Sequence, residues 1–467
     1  MTYVDRLSGG GFRDLLRLLE GPFDGLFGGM HLLPFYYPID GSDAGFDPID
    51  HTQPDPRLGS WDDVRELAKG KDLMADLIVN HMSSRSPQFE DFRRNGDASR
   101  YADLFLSYRR VFPKGATEPE LLQIYRIRPS LPFTAVKFEN GTERVLWTTF
   151  TSGQIDIDVS SDSGRAYLEQ ILKQFHAGGV RAIRLDAAGF AIKKPGTSCF
   201  MISETFEFIS GLTDKARVLG MEVLVEMHGH YEDQIRLAKR VGWVYDFALP
   251  PLILHALYTH SAIALKHWLT MSPRNAVTVL DTHDGIGIID AGGLLGSDEI
   301  ASIVETIHQR SNGESRQASG EAANNLDVSQ VNCTFYDALG RRDGEYRIAR
   351  ALQFFSPGIP QVYYVGLLAG ANDMELLGRT REGRDINRHY YTGDEIDSEI
   401  QRPVVRMLFD LIRFRNTHPA FAGDFSLLPC RDREIAIEWR NNAHWARLNV
   451  DLKAMNVVID ASPEVSS

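Results

Sequence analysis

Short apolar runs alternate with segments of helical periodicity along most of the chain. Seven runs are rich in β-branched and aromatic residues, and stretches with apolar positions three to four residues apart separate them. These runs lie near Leu26, Leu73, Ile183, Val223, Tyr245, Val279 and Val362. Strands that alternate with helices predict parallel strands in βαβ units. About eight such units predict an α/β fold, the (β/α)8 TIM barrel, whose functional residues lie at the carboxyl ends of the strands.

Two intervals interrupt this alternation and suggest domain boundaries. Residues 83–161 form a long, irregular stretch, which predicts a subdomain inserted after strand 3. Residues 286–340 are rich in glycine and polar residues and predict an inserted loop subdomain after strand 7. Residues 423–467 alternate between apolar and polar positions and predict a small C-terminal antiparallel β domain. The catalytic barrel is then assigned to residues 1–82, 162–285 and 341–422.

Two local patterns sharpen this picture. The segment SGRAYLEQILKQFHAGG starts at Ser163, has an apolar stripe and ends in glycines, which predicts a helix. The most apolar window, WVYDFALPPLILHALY, contains Asp246, His255 and two prolines and is too short for a clean membrane span. It predicts a strand, a turn and a helix of a buried core.

Composition narrows the classes of partner. Apolar residues make up 43% and charged residues 24%, as in globular proteins, and the formal net charge of -13 disfavours nucleic acid as a partner. The cysteines lie far apart without a C-x-x-C pair, which argues against a disulfide framework or a zinc site; they are Cys199, Cys333 and Cys430. The first residues lack a basic-then-apolar signal pattern. We expect a cytoplasmic protein without a membrane partner, either monomer or homodimer.

The stretch GVRAIRLDAAGF reads as a buried strand that carries both signs of charge. Side chains alternate along a strand, so Ile183 and Leu185 point one way while Arg184 and Asp186 point the other. Burying a charge is costly unless the charge is paired. We therefore expect Arg184 and Asp186 to share one face at the mouth of the barrel.

Polar residues also follow other predicted strands, as in Asn80-His81, Glu226-His228 and His283-Asp284. One such pair alone would indicate a helix cap or a barrel salt bridge. Three carboxylates in one pocket repel each other, however, and this arrangement suits a cationic transition state. Retaining glycoside transfer uses such a pocket: Asp186 would be the nucleophile oriented by Arg184, Glu226 the general acid, and Asp284 a stabilising carboxylate.

The same stretches resemble a known family. RLDAAG, VEMHG and LDTHDG, with IVNHM upstream, resemble the four signature regions of the α-amylase superfamily of retaining glycosidases. Longer strings, among them DGSDAGFDPIDHTQPDPRLGSWDDV and GRDINRHYY, resemble the sucrose phosphorylase family from about Tyr3 to Asn416. The resemblance implies that Asp186 attacks a glucosyl donor and Glu226 protonates the leaving group. Inorganic phosphate then attacks the glucosyl-enzyme and gives α-glucose 1-phosphate with retention.

The resemblance also implies a glucose pocket. Asp43 and Arg384 would hold the far hydroxyls of glucose, so that only a terminal glucose fits. On periodicity alone, core packing would explain Phe46 and Phe150, whereas the family uses these positions as apolar walls for the sugar. The remaining glucose-binding residues implied by the resemblance are Phe46, His81, Phe150, Gln154, Arg184, His228 and His283.

The acceptor side is where this chain departs from the family pattern. The resemblance assigns it Arg126, Arg128, Phe190, Asp327, Ser329 and Gln330. The family carries a pattern like LDLYQVN, whereas this chain has LDVSQVN, so Ser329 replaces a tyrosine. Phe190 likewise stands where tyrosine is frequent. Both changes leave open whether the leaving group is fructose, fructose 6-phosphate or another alcohol.

The sequence is compatible with several other functions. Glucosylglycerol or glucosylglycerate phosphorylases share the same chemistry, and an α-glucoside hydrolase would use water in place of phosphate. A non-catalytic amylase-like binding barrel would lack the acidic trio that this chain retains. No dense Asp/Asn cluster with calcium-ligand spacing and no nucleotide-binding fingerprint occurs, so we expect neither metal nor cofactor.

Overall fold

A computed structural model describes residues 1–126, 131–320 and 329–463. The strands in these ranges are β1 (Gly29–Leu32), β2 (Tyr36–Tyr37), β3 (Asp50–Pro54), β4 (Asp72–Ile78), β5 (His81–Ser83), β6 (Phe133–Lys137), β7 (Glu143–Trp147), β8 (Gln154–Asp156), β9 (Val180–Asp186), β10 (Glu222–Val225), β11 (Trp243–Asp246), β12 (Ala276–Thr278), β13 (Ile286–Gly287), β14 (Gln330–Val331), β15 (Ile359–Pro360), β16 (Asp424–Leu428), β17 (Glu434–Asn441), β18 (His444–Asp451) and β19 (Asn456–Ala461).

The α-helices in the same ranges are α1 (Val4–Ser8), α2 (Phe12–Glu20), α3 (Trp61–Ala68), α4 (Pro87–Asn95), α5 (Tyr108–Val111), α6 (Glu118–Gln123), α7 (Asp162–Ala177), α8 (Ser203–Val218), α9 (Tyr231–Ala238), α10 (Leu249–Thr259), α11 (Ile263–Met271), α12 (Ser297–Arg310), α13 (Glu314–Ser319), α14 (Phe335–Ala338), α15 (Asp343–Phe355), α16 (Tyr364–Leu367), α17 (Met374–Thr380), α18 (Gly393–Glu399) and α19 (Pro403–Thr417). Short 3-10 helices lie at Ser42–Gly45, Gly96–Ala98, Ala188–Phe190, Ile289–Ala291, Gly383–Asn387 and Pro419–Ala422.

A parallel barrel forms the centre of the molecule. Among the described residues, seven strands pair in parallel in the order β1-β4-β9-β10-β11-β12-β15. Residues 1–3 fill the gap between the two ends of this sheet: the Thr2 amide donates to the His31 carbonyl (2.9 Å), and the Tyr364 amide donates to the Met1 carbonyl (3.0 Å). Because this first strand is only about three residues long, its hydrophobic pattern is too short to detect. The (β/α)8 barrel is confirmed.

The register of β9 decides which side chains line the barrel. Asp76 of β4 and Leu224 of β10 both lie level with Arg184, one on either side. Alternation then turns Arg184 inward and leaves Ile183 and Leu185 fully buried on the opposite face. The predicted orientation of the strand is therefore confirmed, and the barrel interior contains a buried ion pair between adjacent strands.

Helix α7 occupies the predicted segment but begins earlier. Its N-cap is Ser161, whose hydroxyl accepts a hydrogen bond from the Gly164 amide (2.9 Å), whereas the Ser163 hydroxyl donates to Asp103. The expected start at Ser163 was thus wrong by one or two residues, because two serines in one turn can both serve as caps.

The apolar window at residues 243–258 becomes β11 and most of α10, as predicted. In the described parts of the chain, none of the helices is both long enough and apolar enough to cross a membrane.

The segments predicted as insertions have some structure of their own. In residues 83–161, β6 pairs with β7, and a small core that includes Phe112 and Trp147 packs apart from the barrel core. In residues 286–340, β13 pairs with β14. The C-terminal strands form an antiparallel sheet in the order β16-β17-β18-β19, and Trp439 Nε1 ties it to the Phe355 carbonyl at 2.8 Å. The exact domain boundaries remain a prediction.

Candidate active site

Arg184 joins three carboxylates at the mouth of the barrel. Its Nη1 lies 3.0 Å from Asp76 Oδ1, while its Nη2 lies 2.9 Å from Asp186 Oδ1 and 2.7 Å from Glu226 Oε2. The Glu226 amide also donates to the Leu185 carbonyl, which places Glu226 beside the end of β9. Burial of the guanidinium is offset because each arm has an anionic partner. Asp186 and Glu226, predicted from separate strands, are thus brought together.

The Asp186 and Glu226 carboxyls influence each other's ionisation. Burial, followed by repulsion from Glu226, raises the pKa of Asp186 well above its usual range, although Arg184 opposes the shift. A hydrogen bond between the two carboxyls contributes to the same shift. Burial also opposes ionisation of Glu226, but Arg184 outweighs it and lowers the pKa of Glu226. Two buried carboxylates in contact repel each other, so a state with one neutral and one ionised carboxyl is favoured, and these directions favour the proton on Asp186.

A second cluster of charged side chains surrounds Asp284. Arg384 Nη1 contacts both Asp43 Oδ2 and Asp284 Oδ1 at 2.9 Å, and Arg388 Nη2 lies 3.1 Å from Asp43 Oδ1. Burial favours neutral Asp43, but Arg384 and Arg388 outweigh it and lower the pKa of Asp43 to about 2. Burial likewise opposes ionisation of Asp284, yet the same arginines hold its pKa well below the usual range. Both carboxylates are therefore anions.

The backbone around Asp43 has an uncommon left-handed conformation. Asp43 and Ala44 both have left-handed φ values, 51° and 54°, inside the 3-10 turn Ser42–Gly45. Aspartate tolerates this conformation better than most residues, whereas alanine does not. Such strain persists only where the surroundings hold it, and here Arg384 and Arg388 hold the Asp43 carboxylate.

Aromatic and imidazole side chains form the wall between these clusters. Phe46 stacks on His283 with ring centres 4.8 Å apart, and the Phe46 carbonyl lies 2.9 Å from His81 Nε2. His81 also lies 3.2 Å from Gln154 Nε2 and packs on Phe150 at 5.0 Å between ring centres. Five of the sequence-predicted residues therefore form one connected set of contacts, and their role in binding glucose stays a prediction; they are Phe46, His81, Phe150, Gln154 and His283.

The predicted acceptor-side residues are only partly described. Phe190 packs against Phe150 and also against Tyr125, whose neighbour Arg126 is exposed. Ser329 is exposed, and its carbonyl accepts a hydrogen bond from the Ile288 amide at 3.0 Å. Gln330 lies in β14, opposite Gly287. Two further candidates, Arg128 and Asp327, lie outside the described residues.

His228 lies at the edge of the pocket between several carboxylates. Its Nδ1 is 3.0 Å from Asp290 Oδ2, and its Nε2 is 4.0 Å from Glu226 Oε1. Burial disfavours the imidazolium, but Asp290, followed by Glu226 and Asp284, raises the pKa of His228 to about 9. The three carboxylates therefore favour the imidazolium form of His228.

The pocket contains the residues best placed to hold a metal within the described part of the chain. Ligand atoms of Glu226, His228 and Asp284 lie within 4.8 Å of one another. Both carboxylates are already paired with guanidinium groups, Glu226 with Arg184 and Asp284 with Arg384. A cation at this place would have to compete with these arginines, so the donor set fits a sugar and its hydroxyls better.

Several residues of the site escaped the sequence analysis. Asp76 is visible only through the β4–β9 register, although it precedes Asn80-His81 by four residues. Arg388 follows Arg384 by four residues in the same GRDINRHYY string, and that spacing was the available signal. Lys193 is fully buried, with its Nζ 2.7 Å from Asp156 Oδ2 and in contact with the Phe190 carbonyl. It gave no sequence signal, because nothing in the pattern places it under the pocket wall.

Comparison with known proteins agrees with this geometry. The family model for the α-amylase catalytic domain matches residues 27–233. A sucrose phosphorylase of Agrobacterium vitis is 59% identical over 99% of this chain and 96% of its own length. A sucrose phosphorylase of Bifidobacterium adolescentis is 52% identical over 97% of this chain and 92% of its own. The crystal structure of sucrose 6F-phosphate phosphorylase from Thermoanaerobacter thermosaccharolyticum superposes with a TM-score of 0.93 at 40% identity, covering 99% and 94% of the two chains.

These similarities extend across the barrel, both inserted segments and the C-terminal sheet, and the relatives are glucosyl-transferring enzymes. Together with the carboxylates around Arg184, they identify this chain as a member of the sucrose phosphorylase family of the α-amylase superfamily.

Proposed function

We propose that this protein transfers a glucosyl unit from sucrose to inorganic phosphate by double displacement, releasing fructose and α-glucose 1-phosphate. The contact of one Arg184 nitrogen with both Asp186 and Glu226 carries the proposal. The two carboxylate oxygens lie no farther apart than the sum of these contacts. That upper bound lies below the ~6.5–9.5 Å of inverting enzymes, so the close pair favours the retaining mechanism.

In the first half-reaction, Asp186 attacks the anomeric carbon and the bond to fructose breaks. Glu226 gives its proton to the departing oxygen, and Asp284 stabilises the positive charge that develops on the sugar ring. The contact between the two carboxyls supports this division, because a single shared proton can pass from Asp186 to Glu226 before the attack.

Glucose itself would be held by the cluster of Asp43, Arg384 and Asp284. These residues pair across the far side of the pocket, which supports a site closed behind a single terminal sugar. The aromatic wall of Phe46 suits the apolar face of a pyranose. A closed pocket also limits the entry of water, which favours transfer over hydrolysis.

In the second half-reaction, an oxygen of inorganic phosphate attacks the glucosyl-enzyme on the side from which fructose left. Glu226 takes up the phosphate proton, and the bond to Asp186 breaks. Two inversions give net retention, so the product is the α anomer. The sugar and the phosphate are the partners that the reaction requires.

Sucrose 6′-phosphate is the second candidate donor. Ser329 is small and exposed where the family commonly has tyrosine, which leaves space for a phosphorylated fructose. Arg126, exposed beside the Phe190 wall, is a candidate partner for that phosphate group. The names of the most similar relatives favour unphosphorylated sucrose.

We also propose a cytoplasmic location, since the three cysteines are unpaired, as is usual in a reducing compartment. Whether the protein is a monomer or a homodimer can be measured by light scattering.

A donor panel with phosphate tests the proposal. Sucrose, sucrose 6′-phosphate, glucosylglycerol and glucosylglycerate are each incubated with the enzyme, and glucose 1-phosphate and free glucose are quantified. We expect glucose 1-phosphate from sucrose, and none from an Asp186→Asn variant. An Asp298→Asn variant, changed at an exposed site on α12, is the matched control and should remain active. Free glucose as the sole product, or no product from any donor, would contradict the proposal.

A further inference from the structure

Asp290 is a fully buried carboxylate to which the sequence analysis assigned no role. Its Oδ1 accepts hydrogen bonds from the Gly229 amide (3.0 Å) and from Gln234 Nε2 (3.1 Å), while its Oδ2 faces His228 Nδ1 at 3.0 Å. Asp290 therefore links the 3-10 helix Ile289–Ala291 to the segment that follows β10. Both oxygens have polar partners, which offsets the cost of burying the carboxyl group.

The ring of His228 is fixed by Asp290 and Phe247. Phe247 stacks on it with ring centres 4.0 Å apart and an interplanar angle of 14°. With Nδ1 directed at Asp290, the other nitrogen faces Glu226 Oε1 at 4.0 Å. The His228 side chain is 25% exposed, so this nitrogen is accessible from the pocket.

Charged groups reach His228 from three directions. Asp290 faces it from the 3-10 helix, Glu226 from the end of its own strand, and Asp284 from the loop after β12. Of these, Asp290 makes the direct hydrogen bond. The carboxylates together keep the ring protonated, and the resulting cation lowers the pKa of Glu226 together with the stronger effect of Arg184, against the effect of burial.

We propose that Asp290 is a positioning residue that keeps His228 charged and directed at Glu226, so that the imidazolium sets the pH at which Glu226 loses its proton. The inference rests on the proposed function, in which Glu226 is first an acid and then a base. The same cation offers the incoming phosphate a positive charge beside the carboxyl that takes up its proton.

The acceptor-side loop supports this arrangement mechanically. The Ser329 carbonyl accepts the Ile288 amide, and β14 pairs with β13 immediately before Asp290. The loop in which this chain departs from the family pattern is therefore hydrogen-bonded to the turn that holds Asp290. A change of acceptor loop can alter the acid–base pair without contacting it.

An Asp290→Asn variant isolates the charge. Asparagine has the same shape, its oxygen can still accept from Gly229 and Gln234, and its amide can donate to an unprotonated His228 Nδ1. His228 Nε2 then keeps its hydrogen, but the ring becomes neutral. The variant therefore removes the negative charge of residue 290 and the positive charge of His228 but keeps the geometry of the pair.

Two measurements test the proposal. The first is the titration of the His228 ring by ¹⁵N NMR, which needs no substrate. In the unchanged protein we expect His228 to titrate near pH 9, and in Asp290→Asn near its ordinary value of ~6.5. A wild-type His228 that titrates near ~6.5 would overturn the inference, whatever reaction the protein catalyses.

The second measurement is the pH profile of kcat/KM for phosphorolysis of sucrose. Loss of the positive charge nearest to Glu226 favours its protonated form, so the basic limb should move to higher pH in Asp290→Asn, although the loss of the more distant Asp290 charge reduces the shift. The His228→Gln variant loses the cation alone and should move the limb further in the same direction. Adding Asp290→Asn to His228→Gln removes a carboxylate and should move the limb part of the way back. The exposed-site control Asp298→Asn should leave the limb unchanged.

The outcomes separate the two proposals. A lower rate with an unmoved limb, or a limb that moves to still higher pH when Asp290→Asn is added to His228→Gln, would show that Asp290 acts only on structure. Absence of glucose 1-phosphate from the unchanged protein would instead refute the proposed function, while the NMR titration would still decide the state of His228.

Discussion

Replacing Arg184 by lysine removes the guanidinium group that contacts Asp76 inside the barrel and also contacts the catalytic carboxylates. Arg184 is 1% exposed, and its two terminal nitrogens contact Asp76 on one side and the Asp186–Glu226 pair on the other. A lysine ammonium is a single point of charge on a flexible stem and cannot serve both sides at once. We expect Arg184→Lys to keep the net charge but to lose at least one charge-assisted hydrogen bond.

The size of the effect follows from that bond. A hydrogen bond to a charged group contributes ~1.5–3 kcal/mol. If the bond to Asp186 is lost, kcat/KM should fall by about 10- to 150-fold, at 1.36 kcal/mol for each factor of ten. Arg184 is also the group that opposes the raised pKa of Asp186, so weakening it raises that pKa further. The acid limb of the pH profile should therefore move to higher pH.

The assay is the rate of glucose 1-phosphate release from sucrose between pH 5 and 9, with urea unfolding measured in parallel. Arg310→Lys is a matched control, because Arg310 contacts Glu345 at the end of α12, away from the catalytic carboxylates. It should leave the acid limb unchanged. An Arg184→Lys enzyme with wild-type kcat/KM and an unmoved acid limb would refute the role given to Arg184.

Three further changes test other parts of the account. Arg384→Ala leaves Arg388 beside both Asp43 and Asp284, so the pKa of Asp43 should rise from about 2. Because the Arg384 and Asp43 side chains are 37% and 34% exposed, kcat/KM should fall by roughly 10-fold, less than when a fully buried pair loses one partner. Steady-state kinetics and the acid limb measure both effects, and unchanged kinetics would remove glucose binding from this cluster. Ser329→Tyr restores the family's aromatic wall and should shift preference toward unphosphorylated sucrose, whereas an unchanged ratio of kcat/KM values for sucrose and sucrose 6′-phosphate would contradict this. Burial raises the pKa of Asp246 to about 7, so its protonated form contributes stability that is complete below about pH 4 and is lost as pH rises through 7. Urea unfolding should show this decline in the wild type, by up to ~1.4 kcal/mol per pH unit, and Asp246→Asn should flatten it. An equal slope in both proteins would refute the raised pKa.

The sequence predicted best those features for which the hydrophobic periodicity and the residue types indicate the same structure. The alternation in GVRAIRLDAAGF placed Arg184 and Asp186 on one face, and the structure has them in contact. The strand–turn–helix reading of residues 243–258 was likewise correct. In both cases the local pattern determines the feature, because neighbouring residues in one strand or helix fix each other's direction.

Features that depend on strand register or on distant loops were missed. Asp76 meets Arg184 because β4 and β9 are aligned in one register, which no local pattern reveals. Asp290 contacts His228 although the two residues lie 62 positions apart in the sequence. The first barrel strand was missed for another reason, since about three residues carry too little periodicity to detect.

Asp186 is expected to form a covalent bond to glucose. A Glu226→Gln variant given α-glucosyl fluoride tests it directly, because fluoride leaves without an acid while the second step still needs Glu226 as a base. Mass spectrometry of the digested protein should show one added glucosyl unit on the peptide that contains Asp186. A peptide without the added unit, or an added unit on a different carboxylate, would contradict the account.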